Sequence, residues 1–206
     1  MDPNSSVTKY VEIIAIGTEL LMGELIDSNS AFIASELPKL GLTLRSVTKI
    51  GDELTEIERC ISESLSRSDI VITTGGLGPT SDDLTRESIA SYCEETMDIN
   101  KTLLGELKRR FVERGQDMPE TNLKQATLIK SASPIPNPNG TAPGWFTEKN
   151  KKIIIALPGP SLELSTMWID TVKSKLKYLA PDIHIITRNL SLIHISEPTR
   201  RYAISY

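Results

Sequence analysis

Two chemistries meet in the stretch Thr74-Gly75-Gly76-Leu77-Gly78-Pro79-Thr80-Ser81-Asp82-Asp83-Leu84-Thr85. Gly75, Gly76 and Gly78 let backbone N–H groups come close to a ligand, and the carboxylates of Asp82 and Asp83 follow where the pattern predicts a helix to open. Unpaired amides and the positive end of a helix dipole attract an anion, whereas two carboxylates repel one unless a divalent cation lies between them. Together they suit a phosphate group held with a metal ion. The spacing fits neither the dinucleotide fingerprint G-x-G-x-x-G nor the P-loop G-x-x-x-x-G-K-[ST], which disfavours a dehydrogenase and a P-loop NTPase. A plain tight connection, with acids that only complement the helix dipole, is the competing reading of the same residues.

The surrounding pattern alternates strand and helix. An apolar run at 10–16 reads as a strand, followed by an amphipathic helix at 29–40 bearing Phe32, Ile33, Leu37 and Leu40 and ended by Gly41. A strand at 42–50, a helix at 53–67 and a strand at 69–74 then lead into the glycine turn. A helix at 82–96 follows, then another marked by Leu103, Leu104, Leu107 and Phe111, and short strands at 127–130 and 152–157. Between those strands, residues 134–144 hold four prolines and two glycines, which predicts a rigid extended loop. A final helix is expected at 161–179, with Trp168 as a packing residue. The βαβαβ order predicts an α/β fold with a parallel sheet covered on both faces. Ligands of such sheets bind beyond the carboxyl ends of the strands. Those ends carry Gly17-Thr18-Glu19, Gly51-Asp52, the glycine turn and Pro158-Gly159, so the acids gather where a metal-assisted phosphate site needs them.

Composition narrows the function further. With 206 residues and 39% hydrophobic content the chain can bury one substantial core. The formal charge of −4 and the scattering of basic among acidic residues leave no stripe for a nucleic-acid backbone. Lys108-Arg109-Arg110 reads as a solvated helix face, and residues 149–152 as a solvated hairpin turn. With no run of eighteen apolar residues and no secretory segment, no membrane association and a cytoplasmic location are expected. Cys60 and Cys93 fall on apolar stripes as small buried hydrophobes, and His184 and His194 are remote from the glycine motif. Carboxylates and lysines are left to do the chemistry.

Five segments, in order, carry a family resemblance. They are Gly17-Thr18-Glu19-Leu20-Leu21-Met22-Gly23, the block 75–85, Met118-Pro119-Glu120-Thr121-Asn122-Leu123-Lys124-Gln125-Ala126, the block 136–144, and Leu157-Pro158-Gly159. Over about residues 10–190 the chain resembles the amino-terminal domain of the competence/damage-inducible CinA family, which belongs with the molybdopterin-binding domains of molybdenum-cofactor biosynthesis. The resemblance implies an α/β three-layer sandwich with a mostly parallel sheet. It also implies an ADP-ribose pyrophosphatase that uses Mg²⁺ or another divalent cation and releases AMP and ribose 5-phosphate. On that basis Asp83 is the first metal ligand, with Asp82 and Asp52 beside it, and Glu19 places metal or water. Gly75, Gly76, Gly78, Thr80 and Thr85 form the phosphate cradle. Lys124 would neutralise charge on a phosphate oxygen, with an exposed helix lysine as its alternative reading, and Asn122 would orient it or the ligand. Asn139, Gly140, Thr141, Gly159 and Glu163 would close the far side of the pocket, while the departure Ser161-Leu162 before Glu163 weakens any role for Ser161. Attack by water is expected, since no activated Ser or Cys is visible. The alternative is a molybdopterin- or nucleotide-binding regulatory module without turnover.

The expected organisation is a flexible amino terminus at 1–9, the nucleotide domain at 10–180, the start of a truncated further domain at 181–190 and a non-native tail at 191–206. The tail, opening Ser191-Leu192-Ile193-His194-Ile195-Ser196-Glu197, resembles translated sequencing-adapter read-through. The deamidase activity that often follows in relatives is therefore not assigned to this chain. The expected partner is a small nucleotide substrate, with no nucleic acid and no membrane, and a homodimer stays open.

Overall fold

Six of the seven residues of β1 (Tyr10–Ile16) are buried, because this strand lies between two neighbours and is covered on both faces. In the computed structural model, which describes residues 8–178, β1 pairs in parallel with β2 (Thr43–Ile50) and β3 (Ile70–Thr74). The remaining strands are β4 (Asp98–Ile99), β5 (Thr127–Leu128), β6 (Ala132–Ile135), β7 (Gly144–Lys149) and β8 (Lys152–Leu157). The main sheet runs β2-β1-β3-β8-β7-β6, parallel from β2 to β8 and antiparallel at β7 and β6, while β4 and β5 form a small separate ribbon.

The helices are α1 (Thr18–Leu21), α2 (Ser28–Glu36), α3 (Leu54–Arg67), α4 (Thr85–Cys93), α5 (Lys101–Glu113), α6 (Ser161–Met167) and α7 (Lys173–Lys177). Alternate residues of the central strands feed two cores. Val11 and Ile13 pack with Ile33, Leu37, Leu164, Trp168 and Val172 on one face. Ile14 and Ile16 pack with Ile57, Ile61, Leu65, Ile89 and Cys93 on the other. The period of two along a strand is what divides the apolar residues between two helical layers. A smaller cluster of Leu107, Phe111 and Ala126 seats α5 against a 3-10 helix at Glu120–Ala126.

Several expectations change. The helix predicted at 82–96 runs only over Thr85–Cys93, because Asp83 turns back to cap the loop amide of Thr80 and Glu94 adopts a left-handed conformation. The loop at 134–144 contributes its first residues to edge strand β6, where Pro134 is tolerated. The basic runs are less solvated than composition suggests. Arg110 donates to the carbonyls of Asn137 and Gly140, Lys149 to the carbonyl of Cys93 and to Glu95, and Lys152 to the carbonyl of Ser68. Cys60, Cys93 and Trp168 are buried as expected. No helix among the described residues is long and apolar enough to cross a membrane. The expectations for 181–190, for 191–206, for His184 and His194, and for most of 1–9 lie outside the described residues.

Glu12 is a carboxylate inside the strand that the sequence presents as apolar. It is fully buried and accepts from Arg67 Nε and Nη2, Ser68 Oγ and Ser46 Oγ at 2.7–2.8 Å. Burial pushes its carboxyl up, but the Arg67 pair and the serine hydroxyls outweigh that and hold it at about 2, from an ordinary 4.5. A depressed carboxyl stabilises the fold above its unfolded value and loses that contribution as the pH falls toward its folded value. Glu12→Gln is therefore expected to lower stability by about 2–3 kcal/mol at pH 6, with the gap to the parent closing between pH 4.5 and pH 2. Urea unfolding at stepped pH checks this, and a gap independent of pH refutes it.

Candidate functional site

The loops at the carboxyl ends of β1, β2, β3 and β8 enclose one cavity of about 770 Å³. The amino-terminal ends of α2, α4 and α6 are directed toward the same region, since each follows one of the enclosing loops. Their dipoles bias it toward an anion, although the Ser30 amide is capped by Asp27 and the Thr85 amide by the Gly76 carbonyl. Two of the walls are tied together. Asn29 Nδ2 donates to the Gly159 carbonyl at 2.7 Å, and the hydroxyls of Ser28 and Ser161 lie 3.0 Å apart.

The glycine loop departs from β3 with left-handed backbone at Gly75 (φ 97°) and Gly76 (φ 64°). Gly75 N–H donates to the Leu157 carbonyl of β8 at 2.9 Å. Thr85 returns to the loop, its hydroxyl donating to the Gly75 carbonyl at 2.9 Å and its amide to the Gly76 carbonyl at 3.2 Å. A Cβ on Gly76 would collide with the Thr85 hydroxyl, and one on Gly78 with the Asp83 carboxylate. The cradle is thus packed tightly against the first turn of α4.

Asp83 stands at its rim. Its Oδ2 accepts from the Thr80 amide at 2.9 Å and the Thr80 hydroxyl at 2.6 Å, and the Gly78 amide also faces the carboxylate. Burial raises its pKa, but the Thr80 hydroxyl, the amides of Thr80 and Gly78 and the charge of Lys124 more than offset this and hold it below the usual carboxylate range. Asp52, Asp82 and Glu19 line the same cavity. Asp52 Oδ2 is committed to the Thr18 amide at 2.8 Å and hydroxyl at 2.9 Å. Asp82 is exposed beside Ser81, and Glu19 folds back over Gly17. No three acidic, His or Cys side chains among the described residues come together as a ready-made metal cage.

Of the other predicted site residues, Thr141, Gly159 and Glu163 line the cavity with Gly75, Gly76, Gly78 and Thr80. Thr85, Asn122, Lys124, Asn139 and Gly140 do not line it. Lys124 is neither a free surface lysine nor a cavity cation. Its Nζ donates to the carbonyls of Thr80 at 2.9 Å and Asp83 at 2.6 Å and pairs with Glu87 at 3.1 Å, so it clamps the glycine loop from beneath. Gly140 and Asn139 belong to a turn organised by Asn137, whose Oδ1 accepts both amides and whose Nδ2 donates to Glu163 at 2.7 Å.

Three site-related residues escape sequence reasoning. Gln125 is buried, lines the cavity, and accepts on Oε1 from Asn122 Nδ2 at 2.8 Å, which leaves its amide N–H₂ as donor. Asn29 ties the walls as described. Arg86 is fully buried, with Nε and Nη1 unpartnered and Nη2 3.5 Å from the Pro143 carbonyl. Burial lowers its pKa to about 10 against the opposing charges of Glu87 and Asp83, so it stays a cation at neutral pH behind the acidic loop. One signal was available for it, since a basic residue in the first turn of a helix opposes the dipole and needs another reason to be there.

Known proteins share this architecture. A family described as "Probable molybdopterin binding domain" matches residues 12–178. A CinA-like protein of Deinococcus radiodurans is 52% identical over 169 residues, covering 80% of this chain and 42% of the relative, and one of Deinococcus deserti is 49% identical over 177 residues, covering 85% and 44%. The chain thus spans less than half the length of these curated relatives. The crystal structure of the protein CinA from Thermoplasma acidophilum superposes with a TM-score of 0.75 at 34% identity, covering 81% of this chain and 98% of that one. The tungsten cofactor synthesizing protein MoaB from Pyrococcus furiosus gives a TM-score of 0.54 at 20% identity, covering 84% and 95%, a likeness of fold alone.

Proposed function

This chain belongs to the molybdopterin-binding-type domain family and, within it, to the CinA-like proteins, and from that premise we propose that it is a metal-dependent hydrolase of a nucleotide diphosphate, with ADP-ribose as substrate. The observation that carries the reading is Asp83, a depressed carboxylate held by Thr80 and Gly78 at the rim of a glycine cradle that favours anions, in a cavity that Asp82, Asp52 and Glu19 also line. A divalent cation fits this donor set. Mg²⁺ is commonly held by one or two carboxylates together with water and substrate phosphates, so a three-carboxylate cage is not required. Asp83 would hold it, with Asp82 and Asp52 nearby, and when bound it would neutralise the diphosphate and raise the acidity of water.

The chain's own residues do the rest. The Gly76 and Leu77 amides, the ones in the loop at 75–80 not already committed to Leu157 or Asp83, orient the diphosphate, and Lys124 keeps that loop in place through its carbonyls. Glu19 accepts a proton from the attacking water as its oxygen bonds to phosphorus. The bridging P–O bond breaks, and AMP and ribose 5-phosphate leave as two phosphate monoesters. A second reading, ligand binding without turnover in a molybdopterin-type module, is favoured by one specific observation, the engagement of Lys124 away from the cavity.

Incubation of the full chain with ADP-ribose, with Mg²⁺ or with chelator, separates the two. Metal-dependent release of AMP is expected. Metal-dependent binding of ADP-ribose by folded protein, with no AMP formed, overturns hydrolysis in favour of the binding module.

A further inference from the structure

A second cavity of about 320 Å³ lies between α5 and the proline-rich segment before β7. It shares Gln125 and Thr141 with the larger cavity, so these two residues form the partition between them. Ligand pockets usually span roughly 300–1,000 Å³, which makes this one large enough for one end of a ligand. Leu103, Leu107, Pro134, Pro136 and Pro143 give it apolar walls.

Its polar groups decide what it accepts. Arg110 lines it, but donates to the carbonyls of Asn137 and Gly140. Asn137 is likewise engaged within its own turn. Asn100 Oδ1 caps α5 through the amides of Thr102 and Leu103, which leaves its N–H₂. The hydrogen bond from Asn122 similarly leaves the N–H₂ of Gln125. Glu106 makes no hydrogen bond or ion pair among the described residues, and its carboxylate remains an acceptor at the mouth. Arg110 spends only Nη1 on those carbonyls and keeps its charge, but Glu106 sets an opposite charge beside it, so the lining carries no net positive charge to select phosphate. Apolar walls with separate amide donors and a carboxylate acceptor suit an uncharged ring system carrying both N–H and ring-nitrogen edges.

We propose that this second cavity receives the fused nitrogen heterocycle of a ligand whose phosphates lie in the glycine cradle, with Gln125 at the partition and Glu106 reading the heterocycle's N–H edge. The placement of the phosphates rests on the nucleotide reading above, whereas the heterocycle chemistry does not, because a purine and a pterin present the same kind of edge.

Titration of methyl-labelled full chain with AMP, ribose 5-phosphate and neopterin tests it, read at the Leu103 and Leu107 methyl signals. AMP is expected to shift both signals and ribose 5-phosphate neither. Leu103→Trp, which fills the slot, is expected to weaken AMP about tenfold and leave ribose 5-phosphate unchanged. Glu106→Ala, at an exposed position whose truncation leaves the fold intact, is expected to weaken AMP in the same direction. Shifts with neopterin but not AMP would keep the heterocycle site and overturn the nucleotide reading. If neither AMP nor neopterin moves these methyls, or if AMP binds both variants as tightly as the parent, the proposal is overturned even where ADP-ribose is hydrolysed.

Discussion

Asp83→Asn is expected to lower Mg²⁺-dependent release of AMP from ADP-ribose by about 10²–10³-fold, the scale for loss of a group that acts on developing charge. The substitution is nearly isosteric. Asparagine can keep one oxygen toward the Thr80 amide and hydroxyl, so the stability change should stay within about 1 kcal/mol. What it removes is the charge, and it replaces the second carboxylate oxygen with an N–H₂ that repels a cation. Because the Asp83 carboxyl lies below the usual carboxylate range, its ionised form persists through the neutral and mildly acidic region, and its protonation should not shape the rate there. Steady-state hydrolysis across Mg²⁺ concentrations, with unfolding curves for both proteins, is the measurement. Parent-like activity would remove Asp83 from the centre of the site.

Gly75→Ala is expected to destabilise the fold by about 3 kcal/mol or more, from steric overlap added to left-handed strain. Gly75 has φ 97°, and its added Cβ would sit far inside van der Waals contact of the Ile16 carbonyl oxygen. That oxygen ends a strand buried between two neighbours, so relief requires moving the sheet or the loop rather than a flexible side chain. For a domain of this size the loss corresponds to a fall in Tm of roughly 6–12 °C. Gly105 in α5 supplies the control, since a Cβ there meets nothing within 4 Å. Gly105→Ala should leave stability unchanged or raise it by up to about 1 kcal/mol. Equal thermal shifts for the two variants would refute the geometry assigned to Gly75.

Much of the fold was legible because it is written in local periodicity. The apolar run at 10–16, the stripes of α3 and the strand before the glycine turn follow from where apolar residues recur, and the αβ alternation then restricts the topology. The ends of elements were less legible. Asp83 looked like the first turn of a helix, and only the fold of the loop onto Thr80 turned it into a cap of the preceding turn. Glu12 was invisible as a partnered carboxylate, because Arg67 and Ser46 are 55 and 34 residues away in sequence.

The sequence by itself determined which strand ends carry glycine and acid, and through them that the candidate site would lie at the carboxyl end of the parallel strands. Both properties depend on residue type and strand direction. Only the tertiary structure decided how each polar atom is committed. Lys124 could be read as a phosphate cation until its Nζ was seen beneath the loop carbonyls, and Gln125, part of a family segment, had no role in the site until two cavities were found on either side of it. Arg86 became a buried, nearly unpartnered cation only when α4, which carries it, packed against the rest of the fold. The physical reason is common to all three. Hydrogen bonds and burial are set by groups far apart along the chain, so a residue's type states what it can do, and its packed surroundings select which of those it does.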